Sequence, residues 1–241
     1  MVLPQDTIKL ISKNIKPVFD NEESSLLKEK AYKFIQKSGI NFHNLDGVSK
    51  IKVVQKLIGG CKRCDLRLQC KSPVEPLINI KPKMLFITGN PAIDEEKIGV
   101  PLHSESSGGR VFSKYLQLLG VSRYEICVSN ILHCRTERSK VVNTSYIATC
   151  AVWKSLEFDL FTLPKYIVTM GSYPLKIFMG FNYPSITTIF GEIYKVIFRD
   201  KATYIIPITH PAYILRNTDN NEQVITLLKW VKQNLIDKEG F

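Results

Sequence analysis

Short apolar runs alternate along most of this chain with longer stretches in which apolar residues recur every three or four positions. Met84 to Thr88 is an uncharged apolar run ending at Gly89, the pattern of a strand covered on both faces. Glu125 to Leu132, Tyr166 to Met170, Glu192 to Phe198 and Thr203 to Ile208 also read as strands, the last two joined by Arg199-Asp200-Lys201-Ala202. Between and after them, helical spacing predicts helices over Gly108 to Leu119, Thr144 to Phe161, Tyr173 to Met179 and Glu222 to Ile236. Ser106 or Ser107 would cap the first of these, and Gly120 would stop it.

Strands that alternate with helices predict an α/β fold with a mostly parallel sheet covered on both faces. Ligands of such sheets gather at the carboxyl ends of the strands. That rule puts Gly89-Asn90-Pro91, Asn130 and His210 on one rim. Ahead of this unit, residues 1–47 read as a helical extension. Its helix runs from Ser24 to Lys37, with Leu27, Ala31, Phe34 and Ile35 in phase, Asn21 or Ser24 as N-cap and Gly39 beyond the end. The main domain, 48–241, opens with a short helix over Val48 to Ile58 that leads into Gly59-Gly60.

Composition narrows the class. Of 241 residues, 44% are hydrophobic and 23% charged, as in ordinary globular proteins. No apolar run approaches the ~18 residues of a membrane span, and Met1 to Pro17 lacks the pattern of a secretory leader. The expectation is a soluble intracellular protein of the cytoplasm, nucleus or a viral replication site, without membrane contact. A net charge of +11 favours a polyanionic partner such as nucleic acid.

Six cysteines without a secretory context argue for metal ligation or buried thiols rather than disulfides. Cys61 and Cys64 form a Cys-x2-Cys pair, sixty-nine residues separate Cys64 from Cys134, and fifteen more separate Cys134 from Cys150. Four-thiolate sites hold zinc or an iron–sulfur cluster. A zinc ribbon normally uses two knuckles of Cys-x2-Cys spacing, and only the first pair has it, so a cluster is favoured and zinc remains the alternative. Cys127 falls inside a strand and reads as a core thiol, while Cys70 is an alternative to Cys64 as a ligand.

From Cys61 onward the chain resembles the family-4 (iron–sulfur) uracil-DNA glycosylases of the uracil-DNA glycosylase superfamily. The resemblance rests on ordered motifs: Cys61-Lys62-Arg63-Cys64-Asp65-Leu66, then Leu85 to Glu96, and Gly99-Val100-Pro101-Leu102. Further on come Asn130-Ile131-Leu132-His133-Cys134-Arg135 with Cys150, and His210-Pro211-Ala212-Tyr213-Ile214-Leu215-Arg216. It implies a three-layer α/β/α sandwich around a central, mostly parallel four-stranded sheet. It also implies a structural [4Fe–4S] cluster on Cys61, Cys64, Cys134 and Cys150. Asn130 takes the place of the asparagine that reads the uracil edge, and His210 that of the histidine that stabilises charge on uracil O2 as the glycosidic bond breaks. Tyr213, Ile214, Leu215 and Arg216 would wedge into DNA and contact its backbone around a flipped nucleotide. Ser107, at a helix start, would receive a phosphate.

Two positions depart from the family pattern. Its first motif, Gly-Glu-Ala-Pro-Gly, becomes Thr88-Gly89-Asn90-Pro91-Ala92, so Gly89 stands where the water-activating acid belongs. Asn90 matches other branches of the superfamily that carry Gly-x-Asn-Pro-Gly, and an asparagine can position a water without taking its proton. Leu102 stands where the family stacks a phenylalanine on the flipped base. The favoured reading is a glycosylase that excises uracil from single- or double-stranded DNA at reduced speed. Its alternative is a weakened glycosylase-like DNA-binding module, with residues 1–47 offered to a replication protein.

Overall fold

The computed structural model describes residues 8–13, 22–136, 144–180, 182–215 and 219–241. At its centre lies a six-stranded sheet in the order β1-β5-β6-β4-β2-β3. The strands are β1 (Lys9–Ser12), β2 (Met84–Thr88), β3 (Ile126–Asn130), β4 (Tyr166–Met170), β5 (Glu192–Phe198) and β6 (Lys201–Ile208). Neighbours run parallel except β5 and β6, which form an antiparallel hairpin.

Because side chains alternate across a strand, each apolar run feeds two cores. Leu85, Ile87, Ile167 and Ile205 point to one face, where they meet Ala31 and Ile35 of α1 (Glu22–Lys37) and Val54 and Ile58 of α2 (Gly47–Gly59). Trp153 and Leu156 of α6 (Thr144–Glu157) and Leu175 and Phe178 of α7 (Ser172–Met179) complete that layer. Met84, Phe86, Val168 and Ile206 point to the other face, against Phe112 and Leu119 of α5 (Ser107–Leu119) and Leu227 and Leu228 of α9 (Asp219–Val231). The result is the expected three-layer α/β/α sandwich. Short helices α3 (Leu66–Gln69), α4 (Ile93–Ile98) and α8 (Pro211–Ile214) sit in the connections. No helix among the described residues is long and apolar enough to cross a membrane.

The expected four strands are corrected to six. The hairpin partner β5 and the edge strand β1 extend the sheet, and β1 comes from the leading segment that the sequence predicts to be helical. Its four residues Lys-Leu-Ile-Ser are mostly exposed, so they lack the apolar run that marks a central strand. The described part of residues 1–47 is built into the main fold. Lys9 to Ser12 pairs in register with Glu192 to Lys195, and Ala31 and Ile35 of α1 are core residues. Asn21 and the side chains of Ser24, Leu27 and Phe34 lie outside the described residues. At the far end, the predicted helix over Glu222 to Ile236 changes to a π-helical turn at Lys232–Ile236.

Candidate functional site

The carboxyl ends of β2, β4 and β6 open into a cavity of about 720 Å³. Gly89 and Asn90 reach its wall from β2, Met170, Gly171 and Ser172 from β4, and His210 from β6. Leu102, Ser107, Tyr213 and Leu215 complete the set of predicted site residues on that wall. Loops separated by more than a hundred residues therefore meet at one place, as expected of ligand sites in open parallel sheets.

The loop from Ala92 to Leu102 is closed by a single buried carboxylate. Glu95, 2% exposed, accepts the Ala92 N–H at 2.6 Å and also the Leu102 N–H. Burial pushes the Glu95 carboxyl upward, against the pull of these two donors and of Arg123. From the other side, the Arg123 guanidinium donates to Leu102 O at 2.7 Å and to Pro101 O. Leu102 is thereby held at φ 48°, a left-handed conformation that costs a non-glycine residue about 1–3 kcal/mol. Behind it, α5 begins with Ser106 as N-cap, its hydroxyl accepting the Gly109 N–H at 3.0 Å. Gly109 must be glycine, because a Cβ there would lie 1.8 Å from His103 O. This tight approach brings the start of α5, with Ser107, to the cavity.

His210 caps α8 through its ring. Nδ1 accepts the Ala212 N–H at 3.1 Å, which leaves the proton of a neutral imidazole on Nε2. Desolvation lowers the ring's pKa to about 4, so at neutral pH this is an uncharged N–H donor on the cavity wall. Pro211 follows at the first helical position, where its missing N–H costs nothing.

Asn130 is not on the wall but buried behind it at the end of β3, 1% exposed. The Leu132 N–H bonds to Gly89 O at 2.9 Å and ties this strand end to the wall loop. The Asn130 Oδ1 accepts from the Thr88 hydroxyl, while Nδ2 is buried without a partner. Gly89 has open space around it: a Cβ built there meets nothing within 4 Å, and its φ is not positive. Asn90 makes one long contact, Nδ2 to Pro91 O at 3.4 Å.

The expected DNA wedge divides. Tyr213 and Leu215 are 46% and 52% exposed at the cavity. Ile214 is only 3% exposed and belongs to the core beneath α8, so its expected DNA contact is corrected. Successive residues of a helical turn point about 100° apart, which sends the middle residue inward. Arg216 lies outside the described residues.

The cysteines gather in the core layer formed with α1, α2 and α6. Cys61, Cys64, Cys70, Cys134 and Cys150 belong to one packed region. Burial, then Cys70, Cys150 and Cys64, push the Cys134 thiol up, and Cys150 is raised to about 12 chiefly by burial, with Cys64 and Cys61 adding to it. Among the described residues, no three Cys, His, Asp or Glu side chains converge tightly enough to hold a single metal ion. Cys127 is a buried core thiol that accepts the Asn79 N–H.

One turn beyond Cys150, Lys154 is buried at 3% exposure. Its ammonium donates to both Glu157 carboxylate oxygens, at 2.6 and 2.7 Å, and to the Ser129 hydroxyl. Ser129 donates to Glu157 at 2.6 Å, and His133 Nε2 lies 2.8 Å from the same carboxylate. Burial would raise Glu157, but Lys154 and His133 hold it at about 2.

Several wall residues escaped the sequence reading. Gly171 and Ser172 follow β4 as Gly89 follows β2, and Gly171 takes φ 102° with ψ 170°, a region open essentially to glycine alone. A glycine directly after an apolar run was the available signal. Asp94 and Glu95 also line the cavity, as does Arg135, whose Nε donates to Glu96 at 3.1 Å.

A sequence profile described as the uracil DNA glycosylase superfamily matches residues 75–232. The chain is 29% identical over 177 residues to a Type-4 uracil-DNA glycosylase of Sulfurisphaera tokodaii, covering 72% of this chain and 78% of that protein. It is 26% identical over 191 residues to a Type-4 uracil-DNA glycosylase of Thermotoga maritima, covering 79% and 96%. A third relative of that name, from Archaeoglobus fulgidus, is 25% identical over 169 residues, covering 69% and 83%.

Proposed function

The chain belongs to the uracil DNA glycosylase superfamily, and on that premise we propose that it excises uracil from DNA by hydrolysing the N-glycosidic bond. The observation that carries this reading is the neutral His210, with Nε2–H free and Nδ1 fixed, on the same cavity wall as Asn90. A uracil flipped into the cavity accepts the His210 Nε2–H at O2. As the bond between N1 and C1′ breaks, its electron pair stays on the base, and the donor stabilises the charge that develops there. Asn90 orients a water toward C1′. The water oxygen bonds to C1′, and its proton passes to the departing uracil or to solvent, because a carboxamide cannot hold it. An abasic sugar and free uracil result.

DNA is the substrate this reading requires, and the net charge of +11 suits a polyanion. Tyr213 and Leu215 would fill the gap left by the flipped nucleotide, with Arg135 and Ser107 near its phosphates. Cys61, Cys64, Cys134 and Cys150 would hold a [4Fe–4S] cluster, with Cys70 as an alternative to Cys64. The all-thiol donor set fits an iron–sulfur cluster, with zinc as the alternative. When bound, the cluster would cross-link the loop of Cys61, the loop of Cys134 and α6, and would take no part in bond breaking.

The test is an excision assay on uracil-containing oligonucleotides, single- and double-stranded, beside iron and zinc determination. Alkali-labile sites should appear with wild-type protein and vanish with His210→Ala. DNA binding without base release by a fully loaded wild type would replace the enzyme with a binding module.

A further inference from the structure

Thr88 and Asn130 end the neighbouring parallel strands β2 and β3 and are paired in register. Both side chains are buried, at 0% and 1% exposure. The Thr88 hydroxyl donates to Asn130 Oδ1, leaving the amide nitrogen as the group without a partner. An unpaired buried donor is costly, about 1–3 kcal/mol, and a base whose O4 reached Nδ2 would relieve that cost.

A carboxamide has two orientations with opposite meanings for a pyrimidine. With Nδ2 and Oδ1 offered in one sense it donates to uracil O4 and accepts the uracil N3–H. Flipped, it accepts from the cytosine amino group and donates to cytosine N3. Asparagine by itself therefore does not separate uracil from cytosine; the device that fixes its orientation does. In the flipped state Nδ2 would face the Thr88 hydroxyl, whose own hydrogen would then lose the acceptor it has. We propose that Thr88 is the specificity-determining positioning residue of this site, locking the Asn130 amide in the orientation that pairs with uracil. This rests on the glycosylase reading above and names the element that sets its base preference.

Thr88→Val removes the hydroxyl with almost no change of shape, and Thr88→Ser restores it. The valine variant should lose about ten-fold in kcat/KM on a uracil oligonucleotide, the worth of one buried hydrogen bond. Its preference for uracil over cytosine should narrow by a similar factor, and serine should recover most of both. A valine variant that matches wild type in rate and preference overturns the proposal. So does an equal loss on both bases that serine fails to repair, which marks a packing role. If the wild type releases no uracil, the glycosylase reading fails, and the lock is read separately from the Asn130 side-chain amide by NMR. A single Nδ2 environment that broadens or doubles only in the valine variant supports it, and unchanged signals refute it.

Discussion

Glu95 accepts the backbone N–H of Leu102, and with that contact a buried carboxylate holds a leucine in a left-handed turn on the cavity wall. Glu95 sits in the first turn of α4, seven positions before Leu102. Glu95→Ala strands two N–H groups, the buried one of Leu102 and the partly buried one of Ala92. Each hydrogen bond to a charged group contributes about 1.5–3 kcal/mol, so denaturant unfolding should show a loss of roughly 3 kcal/mol or more. Excision should fall as well, because Leu102 is then held only through its carbonyl by Arg123. An Ala variant of unchanged stability would mean that Arg123 alone shapes the turn.

Gly89 invites the reverse experiment. A Cβ there meets nothing within 4 Å, and its φ suits any residue, so Gly89→Glu should fold as well as wild type. A carboxylate at this wall position can take the proton that Asn90 cannot, and general bases contribute about 10²–10⁴-fold where proton transfer limits the rate. In a dissociative reaction part of that gain is already in hand, and a single-turnover increase of about ten-fold is expected. No increase would show that water activation is not what limits this protein.

The strands were legible because they are covered on both faces. Strands β2, β3 and β4 are buried at every position, and Met84–Thr88, Tyr166–Met170 and Glu192–Phe198 have the bounds read from the pattern. The rim residues followed from topology, since Asn90 and His210 both lie just beyond strand ends. What escaped was set by tertiary contact. Lys9–Ser12 is an exposed edge strand. Ile214 looks like its exposed neighbours Tyr213 and Leu215 until the turn of α8 sends it inward. Glu95 is one of three successive acids, Asp94-Glu95-Glu96, and only the loop closing over it singles it out. Nothing in the spacing of Lys154 and Glu157, three apart on a helix, sets them apart from a surface pair, yet the fold buries both.

His210 gives the pH dependence. Its pKa is lowered to about 4 by burial, so kcat/KM should lose no activity to this group between pH 8 and 5. It should fall as the pH passes through about 4, where protonating Nδ1 also breaks the cap on Ala212. Stability follows the same sign. In the unfolded chain the ring titrates near 6.5, so below that pH the unfolded state binds the extra proton first. The contribution is therefore full above about pH 6.5 and erodes as pH falls toward 4. Thermal melts of His210→Gln against wild type should lose less stability across that window. Parallel melting curves would place the ring in contact with water.

Lys154 and Glu157 form a pair whose halves differ in cost when removed. Lys154→Met leaves the Glu157 carboxylate buried with only Ser129 and His133 beside it. Breaking one side of a buried pair costs about 3–5 kcal/mol, whereas replacing both sides by apolar groups is often close to neutral. Chemical denaturation should therefore find Lys154→Met strongly destabilised and the double variant Lys154→Met/Glu157→Leu restored by most of that amount, a coupling well above the ~0.5 kcal/mol of independent sites. Because Ser129 precedes Asn130 and Cys150 lies one turn before Lys154, the single variant should also weaken excision and, if the proposed cluster is bound, iron retention. If Lys154→Met and Glu157→Leu simply add, the network is a set of separate contacts and does not link the cysteines to the cavity.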